Sequence, residues 1–473
     1  MKLIYDIKDR PKLGQVIVFA IQQLLAIMAA TLVVPIIIGN GMSSVAALFG
    51  AGIGTLVYLC FTKFRSPVFL GSSFAFLGSM AAAFAGAVST AAGYAGLILG
   101  AVMAGLVYVI IAIVVKFAGV NWLNKLMPPV VIGPTVAIIG LSLAGNAIGD
   151  LQNGDVTVPV TTITQVGTAL PEATTNFVSV ASPLICILCG IVTLAVTVLC
   201  STYGKKMIKL IPFIIGILAG YAVAAVFTVI GNAVGNDALK IIDFSYFAAL
   251  VDGGVGLKTF IEVPDFTFLT AIKGFKEVTL EYVVTIFAAY APVAFVVFAE
   301  HVADHKNISS IIEKDLLEDP GLHRTLLGDG VGSMAGAFFG GCPNTTYGES
   351  VACVAITRNA SVITIFATAI LALVISFFAP FVAFVNSIPA CVMGGVCIAL
   401  YGFIAVSGLK MIQKVDLEQN KNLFVVATIL VCGIGGLAVT FKVGDFSINI
   451  TAIACALILG ILTNVMLSKK AED

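Results

Sequence analysis

Charged side chains are scarce in this sequence. Only 11% of its 473 residues are Asp, Glu, Lys or Arg, against about 25% in an ordinary soluble domain. The mean hydropathy is +1.09 and 59% of the residues are hydrophobic, which is more apolar surface than a soluble fold could bury. We therefore expect the chain to lie in a lipid bilayer. Its net charge of zero argues against nucleic acid as a partner.

Histidine is rarer still, and this limits the chemistry. The three histidines all fall between positions 301 and 323. The ten cysteines are scattered through apolar runs, and the C-x-x-C pair of Cys186 and Cys189 has no histidine nearby. We interpret that pair as packing rather than as a redox or metal site. A membrane-embedded enzyme would need a nucleophile–base pair or a metal cluster, so we expect no enzyme activity, no metal and no cofactor.

Long apolar runs dominate instead, and about 20 such residues span a bilayer as a helix. They predict an all-α polytopic membrane protein with fourteen transmembrane segments, of which the third and tenth are short and interrupted by polar residues. The predicted segments are 14–38, 43–61, 68–86, 92–115, 129–149, 179–200, 208–232, 280–300, 325–342, 346–357, 360–386, 388–407, 421–440 and 446–467.

The positions of Lys and Arg set the orientation, because these residues gather in cytoplasmic loops. With both termini in the cytoplasm, all but a few of the 25 Lys and Arg fall on the cytoplasmic side. The exceptions are Lys240, Lys258, Lys273, Lys276 and Lys442. We therefore expect a multi-pass protein of the plasma membrane with cytoplasmic N- and C-termini.

Short motifs indicate an internal repeat. Segment three carries GSSFAF at 71–76 and segment ten carries NTTYGE at 344–349, while segment five opens with PPVVIG at 128–133 and segment twelve with IPACVMG at 388–394. A shift of seven spans maps one half onto the other, and an odd shift inverts the second half in the membrane. Inverted repeats with broken helices in matching positions are typical of transporters whose site lies near the midplane.

Two carboxylates stand in otherwise apolar stretches. Glu300 closes a long apolar run, and Glu349 follows the Pro–Gly break at 343–348 with no further charge until Arg358. A carboxylate at membrane depth is costly unless paired or hydrated, so such acids mark candidate functional sites. If the helix continues, Asp304 lies on the same face as Glu300. Two alternatives stay open: Glu300 lies in the cytoplasmic interface, or Glu349 is a structural acid paired with a lone cation.

The broken segments and the acids together suggest a ligand class. Backbone N–H groups at the starts of the broken helices can donate to ligand carbonyls, and the two acids can accept from ligand N–H groups. This combination fits a planar lactam or imide. An anion fits poorly because no Lys or Arg lies inside the predicted spans other than at their ends, where Lys209 and Lys421 stand, and a metal ion fits poorly because histidine is so rare.

Several motifs along nearly the whole chain resemble the nucleobase–ascorbate transporter family, and within it the uracil branch. They are GSSFAF at 71–76, AEHVADH at 299–305, KDLLEDPGLHR at 314–324, PNTTYGE at 343–349, AITR at 355–358 and VMGGVCIALYG at 392–402. The resemblance implies two inverted seven-span repeats, and core and gate domains that move against each other in an elevator-like manner. The implied domains are core 1–126 and 251–386, and gate 127–250 and 387–473.

The resemblance also implies a set of substrate-binding residues. They are Phe74, Glu300, Tyr347, Gly348, Glu349 and Tyr401. In the family the two acids hydrogen-bond the uracil ring, and the backbone N–H groups at the positions of Phe74 and Gly348 meet a uracil carbonyl. Tyr401 matches a tyrosine of the gate domain, although an ordinary packed aromatic is an equally good interpretation.

The residues that couple transport to protons depart from the family pattern. The resemblance implies proton coupling through Glu300 and Asp304, but Asp304 stands where a well-known pattern has histidine, and His305 comes one place later. Gln23 likewise replaces a histidine of the first span. We expect a proton-coupled uracil symporter that works as a homodimer. The alternatives are a xanthine or urate permease of the same family, an anion carrier of similar fold, and a membrane-embedded enzyme.

Overall fold

The computed structural model describes residues 3–119, 127–164, 172–205, 207–443 and 446–468, and these are mostly helical. The helices are α1 Leu13–Ile38, α2 Ser44–Phe61, α3 Leu77–Ala85, α4 Thr90–Ala118, α5 Pro129–Ser142, α6 Ala144–Asp150, α7 Pro183–Tyr203, α8 Met207–Leu210, α9 Pro212–Val234, α10 Ser245–Val251, α11 Thr267–Gly274, α12 Leu280–Ile312, α13 Leu322–Gly340, α14 Gly348–Thr357, α15 Val362–Ile375, α16 Ala379–Asn386, α17 Ala390–Ile412, α18 Asn420–Ile434 and α19 Ala452–Ser468. The strands are β1 Leu70–Ser72, β2 Thr157–Thr164, β3 Glu172–Ser179, β4 Asn344–Thr346, β5 Val439–Val443 and β6 Phe446–Ile450.

The helices confirm the predicted class of an all-α polytopic membrane protein. Among the described residues, eight helical stretches are long and apolar enough to cross a bilayer: α1, α2, α4, the stretch Pro129–Asp150 of α5 and α6, α7, α9, α12 and α17. Shorter apolar helices occupy the other predicted spans: Phe74–Ala85, Gly348–Thr357, Val362–Ile375, Asn420–Ile434 and Ala452–Leu467, with α13 at the ninth.

Two predicted boundaries are wrong for identifiable reasons. The eighth segment does not end at residue 300, because α12 continues to Ile312. The polar residues that stopped the apolar run include His301 and His305, which are fully buried in the protein. The eleventh segment, 360–386, is not one helix but two, α15 and α16. Pro380 lies in the first turn of α16, where the missing N–H costs nothing.

The third and tenth segments are short and broken, as the sequence predicts, and their extended residues pair with each other. β1 and β4 form an antiparallel two-stranded sheet in which Leu70 is opposite Thr346 and Ser72 is opposite Asn344. Each strand leads into a helix: β1 into a 3₁₀ turn at Phe74–Phe76 and α3, β4 into α14. Because the strands are antiparallel, the two helices leave the sheet in opposite directions, as expected for inverted repeats.

Glycines allow α2 and α13 to pack backbone against backbone. A Cβ atom on Gly50 or Gly54 of α2 would lie closer than 3.0 Å to the carbonyl oxygen of Gly336 or Gly332 in α13. Asn344 of β4 is wedged beside this contact and donates its Nδ2 to Gly50 O at 3.2 Å. Small residues at such interfaces are what lets transmembrane helices approach closely.

We expect Gly336→Ala to destabilise the protein by about 1–3 kcal/mol, because the new methyl group would overpack a filled interior. Its Cβ would lie closer than 3.0 Å to the Asn344 side chain. Thermal unfolding of the purified protein in detergent measures this. Gly14→Ala is the matched control, since nothing lies within 4 Å of its Cβ. Equal melting temperatures for the two variants would contradict the interpretation.

The β2–β3 and β5–β6 hairpins are not part of the sequence prediction. β2 and β3 pair antiparallel from Thr157 opposite Ser179 to Thr164 opposite Glu172, and β5 pairs with β6 where the last two spans meet. The sequence does indicate a strand at β2, because TVPVTTIT is rich in the β-branched residues that favour strands. The predicted loop at 150–178 therefore contains a regular hairpin, apart from positions 165–171, which are outside the described residues.

The chain divides into two compact units. The first comprises Met1–Leu143, Val263–Phe378 and Leu400–Asp473, and the second comprises Ala144–Glu262 and Ala379–Ala399. Every predicted substrate or coupling residue belongs to the first unit. The division into core and gate domains at residues 126, 250 and 386 stays a prediction.

The first unit has an aromatic core beside its broken helices. Phe76, just after β1, stacks on Tyr290 of α12 with ring centroids 5.6 Å apart. Both side chains are almost fully buried, as is Met80 of α3. This packing fixes the 3₁₀ turn against the middle of α12, and thereby sets the position of the residues that open the turn.

Candidate functional site

Two helix starts lie at the β1–β4 sheet. Ser73 N donates to Pro343 O at 2.9 Å, and Tyr347 N donates to Phe69 O at 3.2 Å, so the pairing extends beyond both strands. Phe74 then opens the 3₁₀ turn and Gly348 opens α14. The first N–H groups of a helix have no partner within the helix, so both starts present backbone donors.

Tyr347 locks the two strands together. Its hydroxyl donates to Ser72 O at 2.7 Å, and its ring covers Gly71 so closely that a Cβ there would lie within 3.0 Å of it. Only glycine therefore fits at position 71. The hydroxyl of Tyr347, predicted as a substrate contact, is committed to the backbone of β1, which favours a positioning role for this side chain.

We expect Gly71→Ala to lower substrate uptake at least about tenfold, because the methyl group must push the Tyr347 ring out of place. Tyr347→Phe removes only the hydrogen bond to Ser72 O and should cost about 1 kcal/mol of stability, with a smaller loss of uptake. Initial uptake rates at matched expression test both. If Gly71→Ala transports like the wild-type protein, the tight contact has no functional consequence.

Ser350 ties the first turn of α14 to the first helix. Its hydroxyl accepts from Gln23 Nε2 at 2.5 Å and from Phe69 N at 3.0 Å. Gln23, where a family pattern has histidine, therefore holds α1 against the start of α14. The sequence alone gave Gln23 no role, because its partner is more than 300 positions away.

Three carboxylates surround these helix starts. Asp304 of α12 accepts from the Thr346 hydroxyl at 2.8 Å, and its other oxygen lies 3.9 Å from where a Cβ on Gly348 would be. Glu300 is one turn earlier on the same face of α12 and is close enough to Asp304 and Glu349 to be repelled electrostatically by both. All three carboxylates are half-buried. The structure thus brings together Glu300, Asp304, Gly348 and Glu349.

The two open alternatives for the acids are both disfavoured. Glu300 does not end its helix, because α12 continues through three further turns whose inward face is buried. Glu349 makes no ion pair with Lys or Arg within 4.0 Å in the described part of the chain, whose pairs join Arg65 to Asp319, Lys240 to Asp237, His301 to Asp329 and Lys314 to Asp6. The site is therefore rich in hydrogen-bond acceptors without a neutralising cation from these residues.

Aromatic rings flank the same place. Phe74 is half-buried and meets the edge of Tyr401 with ring centroids 6.2 Å apart and the planes at 76°. Tyr401 lies on α17 and is 2% exposed. A flat apolar ring next to carboxylates and backbone donors matches the surface of a small heteroaromatic ligand.

Sequence reasoning missed the residues that hold the acids in place. Thr346 is one, since its hydroxyl fixes Asp304, and it lies inside the quoted PNTTYGE motif. Sequence reasoning also missed a buried carboxylate outside the site: Asp329 pairs with His301 at 2.8 Å and is 1% exposed. A carboxylate in the apolar ninth segment was the available signal for Asp329, by the same rule that singled out Glu300 and Glu349.

Similarity to known proteins covers the whole chain. The model of a family described as a permease family (Xan_ur_permease) matches residues 14–442. The uracil permease of Bacillus caldolyticus is 38% identical over 100% of this chain and 96% of its own length. That of Bacillus subtilis (strain 168) is 35% identical over 100% and 97%, and that of Escherichia coli (strain K12) is 34% identical over 96% and 92%.

Solved structures share the fold at much lower identity. The transmembrane domain of a cyanobacterial bicarbonate transporter, BicA, superposes with a TM-score of 0.57 at 15% identity, covering 97% of this chain and 99% of that one. The murine anion transporter Slc26a9 superposes with a TM-score of 0.59 at 11% identity, covering 98% and 69%. This likeness concerns the fold alone, and it bears out the predicted arrangement of two inverted seven-span repeats.

Proposed function

Since this chain belongs to the permease family whose model matches residues 14–442, we propose that it carries uracil across the plasma membrane in symport with protons. The main support for this proposal is the site in which carboxylates and helix starts lie together, in a chain similar over its full length to proteins named uracil permease. The relatives are permeases and not enzymes, and the chain is a multi-pass membrane protein.

Uracil suits such a site chemically. It is planar and neutral, and it presents two N–H donors and two carbonyl acceptors around one ring. Glu300 and Glu349 accept the N–H groups, and the backbone N–H groups of Phe74 and Gly348 donate to carbonyl oxygens. The hydrogen bond to the Glu349 carboxylate contributes about 1.5–3 kcal/mol, because its acceptor is charged. Glu300 in its protonated form accepts through its carbonyl oxygen and adds a weaker, neutral hydrogen bond. Tyr401 covers the ring from the side of Phe74.

Proton coupling resides in the acids of α12. Coupling requires that substrate binds the protonated transporter more tightly than the unprotonated one. Glu300 is the group that changes protonation, with Asp304 as its neighbour on the same helical face. Asp304 takes the place of the histidine in the related pattern and keeps a fixed orientation through Thr346.

The transport step is an elevator-like alternating access. The core domain, residues 1–126 and 251–386, carries the loaded site, and the gate domain, residues 127–250 and 387–473, stays with the bilayer. The protein works as a homodimer with both termini in the cytoplasm. Cross-linking in native membranes tests the dimer, and cysteine labelling from each side tests the termini.

The test of this function is uptake of radiolabelled uracil into proteoliposomes, with and without an inward proton gradient. Accumulation above equilibrium that an uncoupler abolishes is the expected result. Uptake that only equilibrates would contradict the coupling. Uptake of xanthine or urate, with no uptake of uracil, would identify a purine permease of the same family instead.

An anion is the less suitable substrate for this site, although the solved structures of similar fold include anion transporters by title. An anion would face Glu300, Asp304 and Glu349 together, and like charges repel strongly where little water intervenes. Bicarbonate or chloride uptake in the same proteoliposomes would overturn this conclusion.

A further inference from the structure

A second group of buried polar side chains lies outside the substrate site. His301 is 0% exposed and Asp329 is 1% exposed. His301 Nδ1 lies 2.8 Å from Asp329 Oδ2, and its Nε2 lies 2.9 Å from the Thr325 hydroxyl. That hydroxyl also lies 3.0 Å from Leu322 O. The proposed function uses none of these groups.

This geometry satisfies two protonation states of the pair. With the proton present, both ring N–H groups of His301 donate, one to Asp329 and one to Thr325, whose own O–H donates to Leu322 O. With the proton absent, Nδ1–H still donates to Asp329, and the Thr325 hydroxyl rotates to donate to the bare Nε2. A hydroxyl is both donor and acceptor and turns freely, so the pair gains or loses a proton without leaving a ring nitrogen unbonded.

The neighbouring histidine has no carboxylate partner among the described residues. The His305 ring stacks on His301 with centroids 4.0 Å apart. Its Nδ1 lies 2.8 Å from the backbone oxygen of His301 and can only donate there. Its Nε2 lies 2.7 Å from the Tyr58 hydroxyl, which in turn donates to the Ser66 hydroxyl at 2.6 Å. Of these two rings, His301 alone has a carboxylate within hydrogen-bond distance in the described part of the chain, which favours the pair of His301 and Asp329 as the site of the exchangeable proton.

A small cavity lies beside Asp329 of the pair. Phe76, Tyr108, Asp329, Ser333 and Asn344 are among its lining residues, and about 10 Å³ is open to the centre of a water molecule, room for roughly one water. Asp329 Oδ1, Asn344 Oδ1 and Tyr108 OH are buried and make no hydrogen bond of standard geometry to the described residues, although the Thr345 hydroxyl interacts with both Asp329 and Tyr108. One water would donate to the two oxygen acceptors and accept from the tyrosine.

The cavity lies about one helical turn from the proposed coupling acid, since Val297 of α12 is among its lining residues. Glu300 precedes His301 in α12 and interacts electrostatically with Tyr108. Asn344 belongs to β4, which leads into the helix start at Gly348, and Phe76 follows Phe74 in the 3₁₀ turn. The titratable groups that face the pair are thus Glu300, His305, Tyr58 and Tyr108, with Asp304 at longer range.

We propose that the His301–Asp329 pair is a second proton site, which receives the symported proton and holds it inside the protein during transport. The inference rests on the proposed function. The proton leaves the carboxyl O–H of Glu300, passes through the cavity water and arrives on the pair. Glu300 becomes a carboxylate, and the pair changes from a net charge of −1 to zero.

The direct test is Asp329→Asn. An amide can donate to His301 Nδ1 and holds the ring in one neutral form, so the hydrogen bonds persist but the site cannot change charge. In proteoliposomes the variant should still bind and equilibrate uracil, while gradient-driven accumulation falls to a ratio of about 1. Accumulation equal to wild type would overturn the proposal, because it would mean that the pair does not exchange a proton during transport.

A second variant covers the case in which Asp329→Asn does not fold. Thr325→Val removes the hydroxyl that faces His301 Nε2. The protonated pair loses more stability than the unprotonated pair, because in the protonated pair this hydroxyl accepts from a charged ring. The pH at which uptake is half-maximal should fall by about one unit. Thr368→Val is the matched control, a buried threonine bonded to the carbonyl of Thr364 in α15. An unchanged pH profile for Thr325→Val would also overturn the proposal.

The two proposals fail in different ways. If the wild-type protein neither binds nor transports uracil, the proposed function is wrong. If wild type accumulates uracil with the gradient and the two variants do so equally well, only the second proton site is wrong.

Discussion

Replacing Glu300 with glutamine should convert a concentrative transporter into one that only equilibrates uracil. The amide resembles the protonated carboxyl group in size and polarity, so the substrate contact survives while the proton cannot be released. A tenfold proton gradient with one proton per uracil supports about tenfold accumulation, and in the variant this ratio falls to about 1. Proteoliposome uptake at a fixed pH difference, with and without uncoupler, measures it.

The control for this variant lies on the same helix. Glu281 is in the first turn of α12, at the other end from the site, and Glu281→Gln should accumulate uracil normally. If uptake and uncoupler sensitivity survive Glu300→Gln unchanged, Glu300 is not the coupling residue. Asp304→Asn would then be tested next, since Asp304 is its neighbour on the same helical face.

The departure at Asp304 has a structural counterpart. An aspartate is shorter than a histidine and carries a charge, yet here it is held by the Thr346 hydroxyl at 2.8 Å. The bond ties α12 to the end of β4, directly before the helix start at Gly348. A movement of either element on substrate binding would change the surroundings of Asp304, which gives this residue a means of responding to substrate.

The features that follow from local sequence were predictable. The spans follow from hydropathy, because a helix in lipid must be apolar over its whole length. The breaks in segments three and ten follow from clustered polar residues with Pro and Gly. The acids of the site follow from the rarity of charge, which makes Glu300 and Glu349 conspicuous. The error at the end of α12 arises because a buried helix tolerates polar residues that pair within the protein.

The features that depend on distant partners were not predictable. β1 and β4 are three residues each, too short to be recognised without their pairing. The Thr346–Asp304 and Gln23–Ser350 bonds join positions far apart in the chain. His301 was singled out only as a rare histidine, and its role depends on Asp329 and Thr325 from another helix. Such contacts are set by tertiary packing, and no periodicity in the sequence records them.

Removing the Glu349 side chain should weaken uracil binding by about 10- to 100-fold, because a charged hydrogen bond contributes about 1.5–3 kcal/mol. The side chain lies in the first turn of α14, next to the backbone donor of Gly348. Binding of radiolabelled uracil to purified Glu349→Ala measures the loss. Glu281→Ala, which removes a carboxylate outside the site, should bind like wild type.

Methylated uracils test whether the loss of affinity in Glu349→Ala comes from a direct contact between Glu349 and the uracil ring. In the wild-type protein a methyl group on the ring nitrogen that faces Glu349 should reduce affinity by a similar factor, since it removes the same hydrogen bond. In Glu349→Ala that methylation should cost little, because the partner is already gone and there is space for the methyl group. The interaction energy between the Glu349→Ala substitution and the methylation, obtained from the four affinities, measures the contact itself. If the two losses simply multiply for both 1-methyluracil and 3-methyluracil, Glu349 acts through the shape of the site and not by accepting from the ring.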